Sequence, residues 1–362
     1  MALTRLLALL FGALFLVSAT GCVDPEDLNG SSGGTALYVF DATAGAVLAW
    51  DDLGALESAT AAPEPSRRLT GSLLANNRAL AWGGMCFDPS RNRLFLVSET
   101  GTVVRIEGVS RKNGELTSAQ DIASFTLDNA DRLSESVFAQ AAVDPQDGTL
   151  YVAENGKSSS RIWVVSNAGN LPSGATASLQ ALQASGDTGG TGVAVAQGAV
   201  YAYAGGGSSI TTPSSEVLSG SRLRRGGGGG FNTVVLGDKT TLGSTGSNGF
   251  LALDTGSNLL YVARKNPDLT TGGPIALFEA GAFTTGFNQA PRAQLGTWAD
   301  QGGLKIIAHG GSKDWLVAAD EVAGAPTDRI WIWRSPSAAG SPKSVNLGGG
   351  VLVRGLALDG SS

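Results

Sequence analysis

The sequence predicts an all-β chain closed into a six-bladed β-propeller, with four antiparallel strands per blade and a first blade completed by the C-terminal strand. Three observations carry this: a strand-turn-strand unit recurs along the chain, it recurs at an interval too long for a solenoid, and each chain end holds half of one unit. Composition agrees. The 362 residues include 52 Gly, 42% are hydrophobic and only 15% charged. So much Gly and Thr beside little Lys and Glu is poor helix material. There is no Gly-X-Y period, and the apolar share suffices for a large core, which excludes fibrous and wholly disordered chains.

The unit is clearest in GMCFDPSRNRLFLVSE (84–99), AAVDPQDGTLYVAE (141–154), GVAVAQGAVYAYA (192–204), GFLALDTGSNLLYVAR (249–264) and KIIAHGGSKDWLVAAD (305–320), with a last half-unit, GLALD, ending at Asp359. The final residues of the first strands fall at 88, 144, 196, 254, 309 and 359, at spacings of 56, 52, 58, 55 and 50. Third strands are expected at VLAW (47–50), VVRIE (103–107), RIWVV (161–165), IALFE (275–279) and the RIWIW run holding Trp331 and Trp333. Fourth strands are expected at SFTL (124–127), TVVLG (233–237), AQLG (293–296) and SVNLG (344–348). β-branched and aromatic residues bounded by Gly, Asn and Asp are the strand signature used. ALYVF (36–40) reads as a second strand lacking a first, and GLALD as a first lacking a second, so the C-terminal strand should become the innermost strand of the blade that the N-terminus begins.

Residues 1–21 read as an export signal: Arg5 supplies its basic start, Leu6 to Val17 its apolar stretch, and Ala19-Thr20-Gly21-Cys22 its end. Twelve apolar-dominated residues fall short of the roughly 20 that a bilayer-spanning helix needs. The ending resembles the lipobox of bacterial lipoproteins, which implies cleavage and a lipid on Cys22. Residues 22–35, polar and rich in Gly and Ser, read as a flexible tether, and 36–362 as the propeller. Val23 after the cysteine implies the outer membrane where there are two membranes. With Cys22 lipidated, Cys86 is the remaining thiol, so no disulfide framework is expected, and its apolar setting suggests an inert thiol.

The 25 basic and 31 acidic residues give a formal charge of -6, and the one dense basic cluster is Arg222, Arg224 and Arg225. Nucleic acid is therefore an unexpected partner. Those arginines lie in the Gly-rich stretch 205–230, expected to be an insertion in the fourth blade in which SEVLSGSRLRR is a degraded third strand.

The pattern gvavD…LYVae…riwv resembles six-bladed propellers of the NHL, SMP-30/gluconolactonase and TolB-like kind, across residues 36 to 359. Such propellers include lactonases, lyases, sugar and peptide binders, and scaffolds, so the resemblance implies a fold more than a function.

Asp88-Pro89, Asp144-Pro145 and Asp254 stand where first strands turn into second strands and read as turn residues, as does His309 at the same landmark. The chain has a single His, which disfavours a His-rich metal site and a Ser-His-Asp triad, and no catalytic residue is assigned. The opposite end of the channel should collect Trp82, Glu99, Gln140, Glu154, Asn248, Arg264, Asp320 and Arg354 as a ligand-binding face. The resemblance to SMP-30-like lactonases further implies a divalent cation, suited to Ca²⁺, held there by Glu99, Glu154 and Asp320; no other cofactor is expected. Trp163, Trp331 and Trp333 are expected to fill the space between blades. The function expected is a membrane-tethered, extracytoplasmic binding or scaffold module for an envelope protein or glycan. The alternatives are a metal-dependent lactonase or hydrolase and a purely structural envelope protein.

Overall fold

The computed structural model describes residues 34–128, 132–133, 135–156, 160–183, 192–196, 199–204, 209–213, 231–235, 250–263, 275–279, 291–296, 303–310, 314–322, 325–338 and 340–359. The export signal, Cys22, most of the tether, Asn248, Arg264 and the SEVLSGSRLRR segment with its arginines lie outside them. Among the described residues no helix is long and apolar enough to cross a membrane.

The strands assemble into six sheets, each with four strands running outward in order, and the whole is a β-propeller. The innermost strands are Val353–Asp359, Leu80–Asp88, Val137–Val143, Gly192–Ala196, Phe250–Asp254 and Gly303–Gly310. Each lies beside the next, and the last lies beside the first, so they form a closed ring. We number the sheets from one to six in that order. In the first sheet Ala36–Asp41 pairs antiparallel with Val353–Asp359, Leu37 opposite Leu358 and Val39 opposite Leu356. The two half-units at the chain ends thus complete one sheet.

Burial explains why the strands are continuously apolar and not alternating. Successive side chains point to opposite faces of a strand, and here both faces are covered by a neighbouring sheet. Tyr38 and Phe40 pack toward the second sheet with Leu94, Leu96 and Ile106, while Leu37 and Val39 pack toward the sixth with Val317, Ile330 and Ile332. The same division continues around the ring, with one apolar cluster in each of the six gaps. Trp163 fills the gap between the second and third sheets and Trp333 that between the fifth and sixth, with Trp331 packed partly against the latter.

Three features depart from the sequence reading. The third strand of the fourth sheet is Ser209–Pro213, inside the Gly-rich stretch and earlier than expected, and its fourth strand is Phe231–Val235. Short strands stitch neighbours together: Gly114–Glu115 pairs in parallel with the outer strand Arg67–Thr70 of the first sheet, and Thr176–Ala177 with Ile122–Leu127 of the second. These pairings cover two sheet edges that would otherwise offer unpaired amides. A short helix, Leu53–Ser58, follows the third strand of the first sheet; Asp52 caps it by accepting the Ala55 N–H at 3.1 Å, and Leu53 and Leu56 enter the gap facing the sixth sheet.

Two glycines within inner strands are needed for close approach. A Cβ on Gly84 would lie 2.4 Å from the Val97 carbonyl oxygen, whereas one on Gly355 would meet the end of the Leu80 side chain at 2.7 Å and the Met85 Cβ at 2.9 Å. Backbone cannot yield as a leucine rotamer can. Gly84→Ala should therefore destabilise the fold by about 3 kcal/mol, at the upper end of the overpacking range, and Gly355→Ala by less, about 1–2 kcal/mol, because the Leu80 end can move although the Met85 Cβ cannot. Equilibrium urea unfolding measures both, and equal losses would contradict this account.

Candidate functional site

At the end of the channel where the inner strands begin, the structure brings together three of the expected residues. The Arg354 guanidinium lies over the Trp82 ring, 4.4 Å from its centroid, donates to the Leu80 carbonyl at 2.9 Å, and forms an ion pair with Glu99. The backbone of Glu99 is engaged as well, its N–H donating to Ala79 and its carbonyl accepting from Phe138. The trio pairs opposite charges over an aromatic face.

Gln140 lies deeper and takes a different part from the one its sequence position suggests. Its side chain is buried; Oε1 accepts the N–H groups of Val193 and Leu251, each at 3.0 Å, and Nε2 donates to the Leu251 carbonyl at 2.6 Å. One amide from the third sheet thus holds the inner strands of the fourth and fifth. An amide whose hydrogen bonds are consumed by backbone has little left for a ligand.

Glu154 and Asp320 are fully engaged in the same manner as each other. Glu154 is completely buried: Oε1 accepts from the Leu133 N–H at 3.1 Å, from Arg132 at 3.4 Å and from the Ser136 hydroxyl, while Oε2 accepts the Trp163 indole N–H at 2.7 Å. Asp320 accepts from Arg329 Nε at 2.9 Å, from the Thr327 hydroxyl and from the Trp331 indole N–H at 3.4 Å. Register explains the indoles: in both sheets the Arg-Ile-Trp run of the third strand is antiparallel to the acid-bearing end of the second, which sets Trp163 beside Glu154 and Trp331 beside Asp320. The guanidinium comes from that run at Asp320, as Arg329, but from Arg132, ahead of the inner strand, at Glu154. Glu99, Glu154 and Asp320 are not brought within reach of one shared cation. Among the described residues, the three side chains whose ligand atoms do converge are Asp254, His309 and Asp314. The Ca²⁺ set implied by the family resemblance is therefore not assembled, because each of its carboxylates is neutralised by an arginine of its own surroundings.

The landmark aspartates behave as turn residues. Asp88 accepts the Ser90 N–H at 3.1 Å, Asp144 the Gln146 N–H at 2.9 Å, and Asp254 those of Gly256 and Ser257 at 2.9 and 3.1 Å. Burial raises the Asp88 carboxyl above its ordinary range, against the lowering influence of Arg91. His309 departs from this pattern, since both of its ring nitrogens are buried with no hydrogen-bond partner. Between Gln140 and His309 the channel holds an open cavity of about 140 Å³, lined by small and aliphatic residues such as Ala141, Ala194, Ala252, Ile307 and Ala357. The Cys86 thiol also faces it, and burial pushes its pKa up, which keeps the thiol protonated.

Asp314, Tyr261 and Arg132 are site residues that the sequence reading passes over. Asp314 had one signal, its place at the head of the second strand directly after the His309 turn. Tyr261 and Arg132 have none, because their partners lie on other strands and loops.

No protein-family model matches the sequence, and no curated protein does. The likeness to NHL, SMP-30-like and TolB-like propellers thus rests on the repeat pattern alone. In fold, the chain is similar to one from a nidogen/laminin complex, 12% identical with a TM-score of 0.53, over 91% of this chain and 100% of that one. A β-propeller domain from Myceliophteria thermophila is 10% identical with a TM-score of 0.45, over 85% of each chain. At such identities these likenesses concern the fold alone. The class of protein is a β-propeller.

Gln140→Leu keeps the volume but strands the Val193 and Leu251 backbone groups, each at a cost of about 1–3 kcal/mol. Glu154→Ala leaves Arg132 and the Trp163 indole unpaired beside a buried void and should cost about 3–5 kcal/mol. Both losses are read by urea or thermal unfolding. A stable Glu154→Ala chain would show that this carboxylate is free for another purpose.

Proposed function

We propose that this protein is a six-bladed propeller, carried outside the cytoplasm by a lipid on Cys22, that serves as a non-catalytic binding or scaffold module for a protein or glycan of the cell envelope. The observation that carries the reading is the use made of the channel's polar groups. Arg354 is paired with Glu99 over Trp82, and Gln140 is spent on backbone within. The broad rim of the ring, built from the loops between strands, is then the surface that meets a partner.

The address follows from residues 1–35: a short apolar export segment, a lipobox-like ending at Cys22, and a Gly- and Ser-rich tether to the first strand. Val23 after the cysteine favours the outer membrane of a two-membrane cell. The nidogen/laminin structure is a complex of proteins, which supports a ring that meets another protein.

In cell fractionation the wild-type chain should sediment with membranes, and Cys22→Ser should move it to the soluble extracytoplasmic fraction. Crosslinking in intact envelopes should return one stoichiometric protein, or a glycan array one saccharide class. Steady turnover of a lactone or ester panel by the purified chain would overturn the non-catalytic reading.

A further inference from the structure

We propose that Asp254, His309 and Asp314 form a binding site for one divalent cation of the zinc type, set between the fifth and sixth sheets where the inner strands finish. His309 Nε2 lies 3.9 Å from Asp254 Oδ2 and 3.7 Å from Asp314 Oδ1, and the three ligand atoms all fall within 4.8 Å of one another. Two ligands held about 2.1 Å from one tetrahedral zinc ion are about 3.4 Å apart, so each imidazole–carboxylate distance must contract by a few tenths of an ångström, and the two carboxylates, within 4.8 Å of each other, by up to about 1.4 Å.

The independent sign of a ligand is the unmet demand for one. The His309 side chain is 1% exposed, yet Nδ1 and Nε2 both lack a hydrogen-bond partner, as does the buried Asp314 Oδ1. Buried polar atoms are rarely left so, and each one stranded costs about 1–3 kcal/mol. A cation between them satisfies Nε2 and both carboxylates together.

The surroundings hold each carboxylate in a ligating pose. Asp254 gives Oδ1 to the Gly256 and Ser257 amides, which leaves Oδ2 turned to the imidazole. Asp314 accepts the Ser337 hydroxyl on Oδ2 at 2.6 Å, which leaves Oδ1. Anchoring of one oxygen by a neighbouring donor is the usual way a ligating carboxylate is oriented. The His309 ring is set by stacking on Tyr261, with centroids 5.3 Å apart and planes at 14°.

The donor set selects the metal. One imidazole nitrogen with two carboxylate oxygens suits zinc and its neighbours in the transition series, whereas Ca²⁺ seeks six to eight oxygens. Three protein ligands leave a fourth position for water or a partner's side chain.

The test uses the full-length chain stripped of metal by chelator and dialysis. Zn²⁺ titrated calorimetrically should bind with one equivalent and raise the melting temperature, and Co²⁺ in its place should develop the visible bands of a four- or five-coordinate ion. Asp314→Asn and His309→Gln should each weaken Zn²⁺ binding by at least about 100-fold, and Cys86→Ala should leave it unchanged. Asp314→Asn is isosteric and its carboxylate is 30% exposed, so it reports on the metal even if His309→Gln fails to fold. Absence of saturable binding, or equal affinity in wild type and Asp314→Asn, would overturn the site. Saturation by Ca²⁺ and not by Zn²⁺ would overturn the choice of metal.

Discussion

The pairing of Ala36–Asp41 with Val353–Asp359 is the contact on which the rest of the ring depends. A propeller sheet is stable only when both of its faces are covered, and covering is mutual around a circle. Without the C-terminal strand the first sheet loses its innermost member, and the second and sixth sheets each face a gap. Tyr38 and Phe40 on one side and Leu37 and Val39 on the other show how fully a single strand serves two neighbouring clusters. The contact joins opposite ends of the chain, so its closure entropy must be met before it rewards folding, which places it among the slow steps of assembly.

Inside the ring, space is so limited that polar groups serve as struts. Gln140 spans from the third sheet to the fifth because the inner strands carry small side chains such as Ala141, Ala194 and Ala252, and the amide reaches backbone across them. Farther out, an acid at the end of a second strand is locked by an indole and a guanidinium, in Glu154 with Trp163 and Arg132 and again in Asp320 with Trp331 and Arg329. Such buried charges are tolerable because each is paired and hydrogen-bonded on both oxygens.

The two ends of the channel consequently differ in chemistry. Where the inner strands begin, the described charges Arg354 and Glu99 pair and Gln140 is taken up by backbone, so these groups contribute stability and shape. Where they finish, between the fifth and sixth sheets, an imidazole and a carboxylate oxygen are left unpaired among aromatic and turn residues. A functional asymmetry of this kind is compatible with a single ring carrying a partner surface at its rim and an ion at one end.

Period and closure were legible in the sequence, since a strand, a turn and a second strand ending in an acid are local patterns and repeat at nearly constant spacing. The turn role of Asp88, Asp144 and Asp254 was legible for the same reason: an Asp side chain bonds the backbone two residues on. What the site residues do was not. Glu154 and Asp320 look like free carboxylates along the chain, and only folding brings up the groups that occupy them: indoles from the Arg-Ile-Trp strands, Arg329 from one of those strands, and Arg132, Leu133 and Ser136 from the segment before an inner strand. The third strand of the fourth sheet was hidden in a Gly-rich stretch where propensity is weak and pairing with Ala199–Ala204 decides. By itself, then, the sequence determined the class of fold and where its turns lie, because these depend on neighbours along the chain. Tertiary structure alone decided which polar groups are consumed and which are left over, because those partners lie on different sheets and meet only when the ring closes.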